Sequence, residues 1–448
     1  MKIIIAGAGV VGFQTAKKLS SENKDVVLIE KDPVLFAKIS ERLDCIVLND
    51  DISKPRIMKK AGMENADLFI CVTGSDEINI ISCALAHSEF KVPKIIARIS
   101  NPDYRNTALF TENRLGIDYV INPEEEAADV IVNSILYGAT GDVKIFKHSG
   151  AKIRSFIVQK NSILAGKTVK QINQQQTHEF IICGILRNNE FIIPDGNTTF
   201  KTGDNVYISG SDAGIDRVLS SSGTTQQLIK RVIFAGGSRI ARYAARQLSA
   251  LDIDIVFIEN NSATCGMLSE MFPRSLVLQS EISDETIFEE ERLGTCDLLA
   301  AVTDEQELNI ITALYAKSIG ITRTIALVAN SNFFNIASHL NIDITVSQKD
   351  GAVDSIMKYI RKGNISGIYS IFEGKAEVME TVIGSDSPLT SVLIRDIKMP
   401  PHTLIIAITR AGKILVPHGS LFIHPKDTVV ILSQKEAIPH LEKLLAGS

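Results

Sequence analysis

The sequence predicts an α/β protein in which an open parallel sheet and a small α+β module are each built twice, and three features carry that expectation. A segment recurs at a fixed offset: Lys2–Gly12, with a following strand that ends in Glu30, returns at Arg231–Ala241, with a strand that ends in Glu259. The offset is 229 at the first glycine (236 − 7) and 229 at the acid (259 − 30), a register that chance does not hold. Short apolar runs bounded by turn residues alternate with amphipathic helical stretches, the pattern of parallel strands joined by crossover helices. Two smaller strand-rich segments also resemble each other.

In the first copy Ile3–Ala6 predicts a strand buried on both faces and Val10–Leu19 the helix that follows it. Gly7, Gly9 and Gly12 stand at the three positions of a dinucleotide-binding turn. Gly7 permits the sharp turn, Gly9 lets backbone amides approach a pyrophosphate, and Gly12 lets the helix lie close to the strand. A phosphate there would face the helix N-terminus, which begins with Val10 and Val11. After a second strand, Val26–Ile29, comes Glu30, whose carboxylate can accept both ribose hydroxyls of an adenosine. A phosphate on the 2′ oxygen would meet that carboxylate, so NAD or NADH is favoured over the phosphorylated dinucleotide. ATP and ADP carry the same ribose and are expected as alternatives at this site. Asp51 and Ile52, after the third strand, lie near the expected adenine pocket. Strand, glycines, helix, strand and acid in that order predict a Rossmann-type half.

The repeat continues. Ala66–Thr73, a strand ending in a threonine, is echoed by Cys296–Thr303; Asn79 and Asn309 follow their threonines at equal intervals; Lys94–Ile99 matches Thr324–Val328. Two Rossmann domains are therefore expected over 1–140 and 229–365. Between and after them, Asn161–Lys167, Ile192–Gly196 and Lys201–Tyr207 resemble Asp386–Val392, Leu415–Gly419 and His424–Val430, which predicts small modules over 141–225 and 366–448. Ser220–Thr225 has the composition of a flexible linker and is the expected site of proteolysis.

The alternation of two Rossmann units with two small modules, the opening Met1–Gly12, the segment Cys71–Asn79 and Ala97–Pro102 resemble the TrkA family over nearly the whole chain. Members of that family are cytosolic regulatory subunits of bacterial Trk potassium uptake, each built from two RCK units (KTN plus TrkA-C). The resemblance implies a ligand-sensing ring docked beneath a Trk-type membrane subunit on the inner face of the cell membrane. It further implies eight Rossmann units per ring and hence a homotetramer, and a role for Arg98 as a charged donor toward the phosphates. Ring conformations that depend on NAD(H), ATP or ADP would gate the membrane partner.

Composition fits this expectation. At 448 residues the chain exceeds one hydrophobic core. A net charge of −5 argues against nucleic acid as a partner. No apolar run reaches the length of about eighteen residues that a membrane-spanning helix needs, and the first residues enter a strand directly, so neither a membrane span nor a signal peptide is expected. The six cysteines and eight histidines show no metal-ligand spacing, and the cysteines fall largely in apolar runs.

The two halves differ at the residues that carry chemistry. The second turn has Gly236, Ser238 and Ala241 where the first has three glycines, Leu327 stands for Arg98 and Glu281 for Asp51, while Glu259 and Thr303 persist. A weaker second site at Gly236, Glu259 and Thr303 is the expectation. An NAD-dependent oxidoreductase with a duplicated Rossmann domain is the alternative, but the small modules share no His, Cys or Lys constellation for acid–base work, so no catalysis is expected.

Overall fold

The structure is a computed structural model that describes residues 1–448 except 106, 137–142, 147–148, 175–178, 189, 222–228, 330–332, 334–335, 338–339, 341, 361–364, 372–375, 386, 391, 435–436 and 447–448. Most of the expected linker, from Ser222 to Thr225, lies outside the described residues.

The first sheet holds β1 (Lys2–Ala6), β2 (Asp25–Glu30), β3 (Ile46–Asn49), β4 (Leu68–Cys71), β5 (Ile95–Arg98) and β6 (Tyr119–Ile121). All are parallel, in the order β3-β2-β1-β4-β5-β6. The order reverses between β1 and β4, the place where α/β sheets open a crevice at the carboxyl ends of their strands. Ile3, Ile4, Ile5, Phe69 and Ile70 are fully buried because helices cover both faces. Local signals set the helix starts. Asp32 accepts from Val34 N and Leu35 N before Pro33 opens one helix, and Ser75 accepts from Ile78 N at the start of Asp76–Ser88.

The second Rossmann sheet repeats this order with β12 (Arg231–Ala235), β13 (Asp254–Glu259), β14 (Leu276–Gln279), β15 (Leu298–Ala301), β16 (Arg323–Leu327) and β17 (Ile344–Val346), arranged β14-β13-β12-β15-β16-β17.

The chain divides into two compact units, residues 1–126 with 348–360 and residues 127–347 with 361–448. In the first, the helix Gln348–Ile360, remote in sequence, covers the sheet of β1–β6: Ala352, Val353, Ile356 and Met357 are buried with Ile3, Ile5 and Leu19. Tyr359 stacks on Tyr119 at 5.3 Å between ring centroids, and Lys94 Nζ lies 5.4 Å from the centroid of the Tyr359 ring. In the second unit the equivalent cover comes from Ala127, Ala128, Ile131 and Ile135, buried with Ala241, Ala244 and Leu248. Each sheet is thus completed by a helix written at the end of the other half's repeat.

The two small modules, both in the second unit, share one topology. β7 (Val143–Ile145), β8 (Lys152–Ile157), β9 (Phe180–Arg187), β10 (Glu190–Ile192) and β11 (Asn205–Gly210) lie in the order β10-β9-β11-β8-β7. β18 (Ile365–Ile371), β19 (Ala376–Val382), β20 (Thr403–Arg410), β21 (Lys413–Leu415) and β22 (Thr428–Gln434) lie in the order β18-β19-β22-β20-β21, which is the same order read from the other edge. Cys183, Phe191 and Tyr207 of one module share a core with Val378, Ile406 and Val430 of the other. Each module carries a buried aspartate held by an arginine fork. Arg187 donates to both oxygens of Asp204 at 2.7 Å, and Arg410 to those of Asp427 at 2.9 and 2.8 Å. Five cysteines are buried and Cys45 is half-buried, all as free thiols. Among the described residues, no helix is long and apolar enough to cross a membrane.

Candidate functional site

The carboxyl ends of β3, β2, β1, β4 and β5 bring the expected residues of the first half side by side, and hydrogen bonds link them in that order. Gly7, at φ +92°, makes the turn out of β1; a Cβ there would lie 2.9 Å from the backbone of Thr73. At Gly12 a Cβ would lie 1.9 Å from Gly7 O, so only glycine lets the helix Val10–Ser21 approach this closely. Gly9 faces open space within 4 Å of its ideal Cβ and caps the helix without a side chain. The helix N-terminus therefore keeps unsatisfied N–H groups directed outward, with Val10 exposed beside it and Val11 buried beneath. This is the local chemistry that receives an anion.

Glu30 ends β2 and is only 8% exposed. Its Oε2 accepts from Ala8 N at 2.7 Å and its Oε1 from Asp32 N at 2.8 Å, so the carboxylate fixes the glycine turn as well as facing the crevice. Each oxygen retains a lone pair for a further donor. On one side Asn49 Nδ2 and Asp50 N donate to Glu30 O. Next along, Asp51 accepts from Ser53 N and Ser53 Oγ, bonds that hold its carboxyl below the usual range, and Ile52 is buried. On the other side Thr73 donates through both its N–H and its hydroxyl to Asn79 Oδ1, at 3.0 and 2.7 Å. Asn79 Nδ2 in turn donates to Arg98 O at 2.9 Å, which ties the ends of β4 and β5 together.

Arg98 belongs to this row through its backbone, but its guanidinium is engaged elsewhere. It donates to Glu124 Oε1 at 2.8 Å, while Ser100 Oγ donates to Glu124 Oε2 at 3.1 Å. The pair is 26% and 10% exposed at the side chains, so the arginine charge is balanced within the protein. Glu124 was not among the residues the sequence pointed to; it lies 26 positions from Arg98, and no local spacing marks the pairing.

The second half reproduces the scaffold and alters the turn. Gly236 has φ +102°, Glu259 accepts from Gly237 N at 2.7 Å and from Asn261 N at 2.8 Å, and Thr303 donates to Asn309 Oδ1 at 2.7 Å. Asn309 Nδ2 reaches Leu327 O at 3.0 Å as Asn79 reaches Arg98 O, which equates Leu327 with Arg98 in space. Ser238, in place of Gly9, turns its hydroxyl onto Ala241 N and caps the helix Arg239–Leu248 itself. That cap occupies part of the donor set a phosphate would use. Glu281, in place of Asp51, is bonded to Asn260. No group of three or more His, Cys, Asp or Glu able to hold a metal ion occurs among the described residues.

The TrkA-N domain model matches residues 3–123 and 232–348, and the TrkA-C domain model matches 153–223 and 378–446. The chain is 29% identical to the Trk system potassium uptake protein TrkA of Haemophilus influenzae over 100% of this chain and 99% of that protein. It is 28% identical to the TrkA homolog 1 of Methanosarcina mazei over 99% of each. Among solved structures, the GsuK channel bound to NAD matches 100% of this chain and 79% of that chain with a TM-score of 0.61 at 15% identity. The GsuK RCK domain matches 100% of this chain and 95% of that chain with the same score. At that identity the likeness carries the fold alone. Two TrkA-N domains that together cover more than half of the chain, each followed by a TrkA-C domain, show that this protein belongs to the TrkA family.

Proposed function

We propose that this protein is a nucleotide-sensing regulatory subunit of a potassium-uptake system, with its principal adenosine site at the first turn. The observation that carries the proposal is the contrast between the helix N-termini of two crevices built on the same scaffold. At Gly9 the helix N-terminus is open and Glu30 stands beside it; at Ser238 the same N-terminus is capped from within. The site comprises Gly7, Gly9, Val10, Val11, Gly12, Glu30, Asp51, Ile52 and Thr73. Arg98 joins it when a phosphate competes with Glu124 for the guanidinium. NAD or NADH is the favoured ligand and ATP or ADP the competitor, in keeping with solved GsuK structures bound to NAD and to ADP. The domains are 1–140, 141–225, 229–365 and 366–448.

The relatives' name supports potassium uptake as the process regulated. The chain acts without catalysis, from the cytoplasm, as a homotetrameric ring on a Trk-type membrane subunit. A bound nucleotide changes gating only by its differential affinity for two ring states, for which about 1–3 kcal/mol of coupling is ordinary.

Calorimetric titration of the chain with NADH, NAD, ATP and ADP tests the site. Glu30→Gln keeps an acceptor for Ala8 N but turns its amide NH2 toward Asp32 N and removes the charge that the ribose hydroxyls would meet, so affinity should fall at least about tenfold, the scale of a charged hydrogen bond. Glu259→Gln should leave it unchanged. In cells, loss of the chain should impair growth at low external potassium, and high potassium should restore it. Unaltered titration of the Glu30 variant places the site elsewhere, and steady NADH oxidation with a keto-acid would return the enzyme reading.

A further inference from the structure

We infer that the C-terminal module holds a second ligand pocket, built for a small organic anion with an apolar body. A cavity of about 480 Å³ opens between the segment before β20, the end of β22 and the C-terminal helix Ile438–Ala446. Its walls are apolar, from Met399, Pro401 and Leu444, while Lys398, His402 and His440 bring donors to it. None of the described residues that line it is acidic, in a chain whose net charge is −5. Such a volume suits a small ligand, and an ammonium with two imidazoles, each able to donate in its neutral form, suits a phosphate monoester or carboxylate.

The repeat shows how the two modules differ at described positions that line the cavity. The modules align at an offset of 223, which the ion pairs fix (410 − 187 and 427 − 204). At that offset His402 and His440 correspond to Glu179 and Arg217, which form an ion pair with each other. Ser433 and Ala437 correspond to Gly210 and Gly214. A Cβ on either of those glycines would lie 2.4 Å from Glu179 O, so in the first module the chain at Glu179 seats directly on the two glycines. In the C-terminal module Ser433 and Ala437 carry side chains at these places, Gln434 N still donates to His402 O at 3.0 Å as Ser211 N does to Glu179 O at 3.1 Å, and the paired charges have become two histidines. His402 is held at φ +54°, a strained backbone for a residue with a Cβ and one that concentrates at functional positions.

The chain has no tryptophan, so Leu444→Trp places a lone fluorophore in the cavity wall. Phenyl phosphate and phenylacetate, titrated into the full-length variant, should each perturb its emission saturably, the tighter of the two naming the anion class. Phenol and inorganic phosphate alone should bind at least about tenfold more weakly, as should phenyl phosphate once Lys398→Ala and His440→Ala are added. Because the introduced indole is large enough to fill part of the cavity itself, 31P line broadening of phenyl phosphate is measured in parallel with the unmodified full-length chain and with the Lys398→Ala/His440→Ala chain. More broadening with the unmodified chain supports the pocket. Equal broadening, or phenol binding as tightly as phenyl phosphate, overturns it.

Discussion

At the scale of single residues, the three glycines of the first turn have different physical reasons to be glycine, and the difference is measurable. Gly12→Ala forces a Cβ to within 1.9 Å of a carbonyl oxygen on the neighbouring turn, so helix or strand must shift. A loss of about 1–3 kcal/mol, the usual range for overpacking, is expected in urea unfolding. Gly9→Ser meets nothing within 4 Å and imports the cap used by Ser238. Stability should hold or rise by a few tenths of a kcal/mol, the small gain a cap makes over glycine, while NADH affinity drops. If Gly9→Ser titrates like the parent, the self-capped second turn is no argument against phosphate binding there.

At the scale of elements, the arginine–aspartate fork repeated in both small modules makes their stability depend on acid. Burial pushes the Asp204 and Asp427 carboxyls up, but the hydrogen bonds from Arg187 and Arg410, with the backbone N–H groups of Lys201 and His424, outweigh it and leave both below the usual range. A carboxylate depressed in the folded state contributes stability that is present above its unfolded pKa, about 3.9, and is lost as pH falls through the folded value. Urea midpoints should therefore fall below about pH 4, and Asp204→Asn should flatten that decline. The same variant should cost about 1–3 kcal/mol at neutral pH, because it removes the charge and one acceptor from the fork while Arg187 keeps only Thr199 O and a single amide oxygen. An unchanged midpoint at neutral pH would show that the fork is replaceable by water.

At the scale of the whole molecule, the exchange of covering helices and the assembly of chains can each be tested. Ile356 is fully buried in the first unit on a helix that is written more than two hundred residues after that unit's sheet. Ile356→Asp should unfold the first unit by burying an unpaired charge, seen as loss of NADH binding without any change in the first 126 residues. For the same reason a fragment ending at residue 225 lacks the cover of its own sheet, and point variants test the asymmetry of the halves better than dissection. For assembly, Ile81 and Ile311 occupy matching places on the helices Asp76–Ser88 and Gln306–Ser318 and are 50% and 63% exposed. Ile81→Glu with Ile311→Glu should dissociate the proposed tetramer in light scattering while each chain keeps its fold. A tetramer that survives both changes would place the ring contacts elsewhere.

Much of this protein was legible in the sequence because its determinants are local. Strand-length apolar runs, glycines at fixed spacing and an acid at the end of the second strand each act within about thirty residues, and the duplication repeated the strands, the first glycine and the acid at offset 229. The row of strand ends from Asp51 through Glu30 and Gly7 to Thr73 follows from those signals together with the sheet order. Three things only the folded chain decided. Glu124 balances Arg98, His402 and His440 come together beside Lys398, and the helix Gln348–Ile360 covers a sheet formed by residues 2–121. Each depends on partners far apart in the chain, and a side chain's periodicity says that it will be buried without saying against what. Each covering helix carries an apolar face that the sequence marks for burial, and only the folded chain shows which sheet it meets.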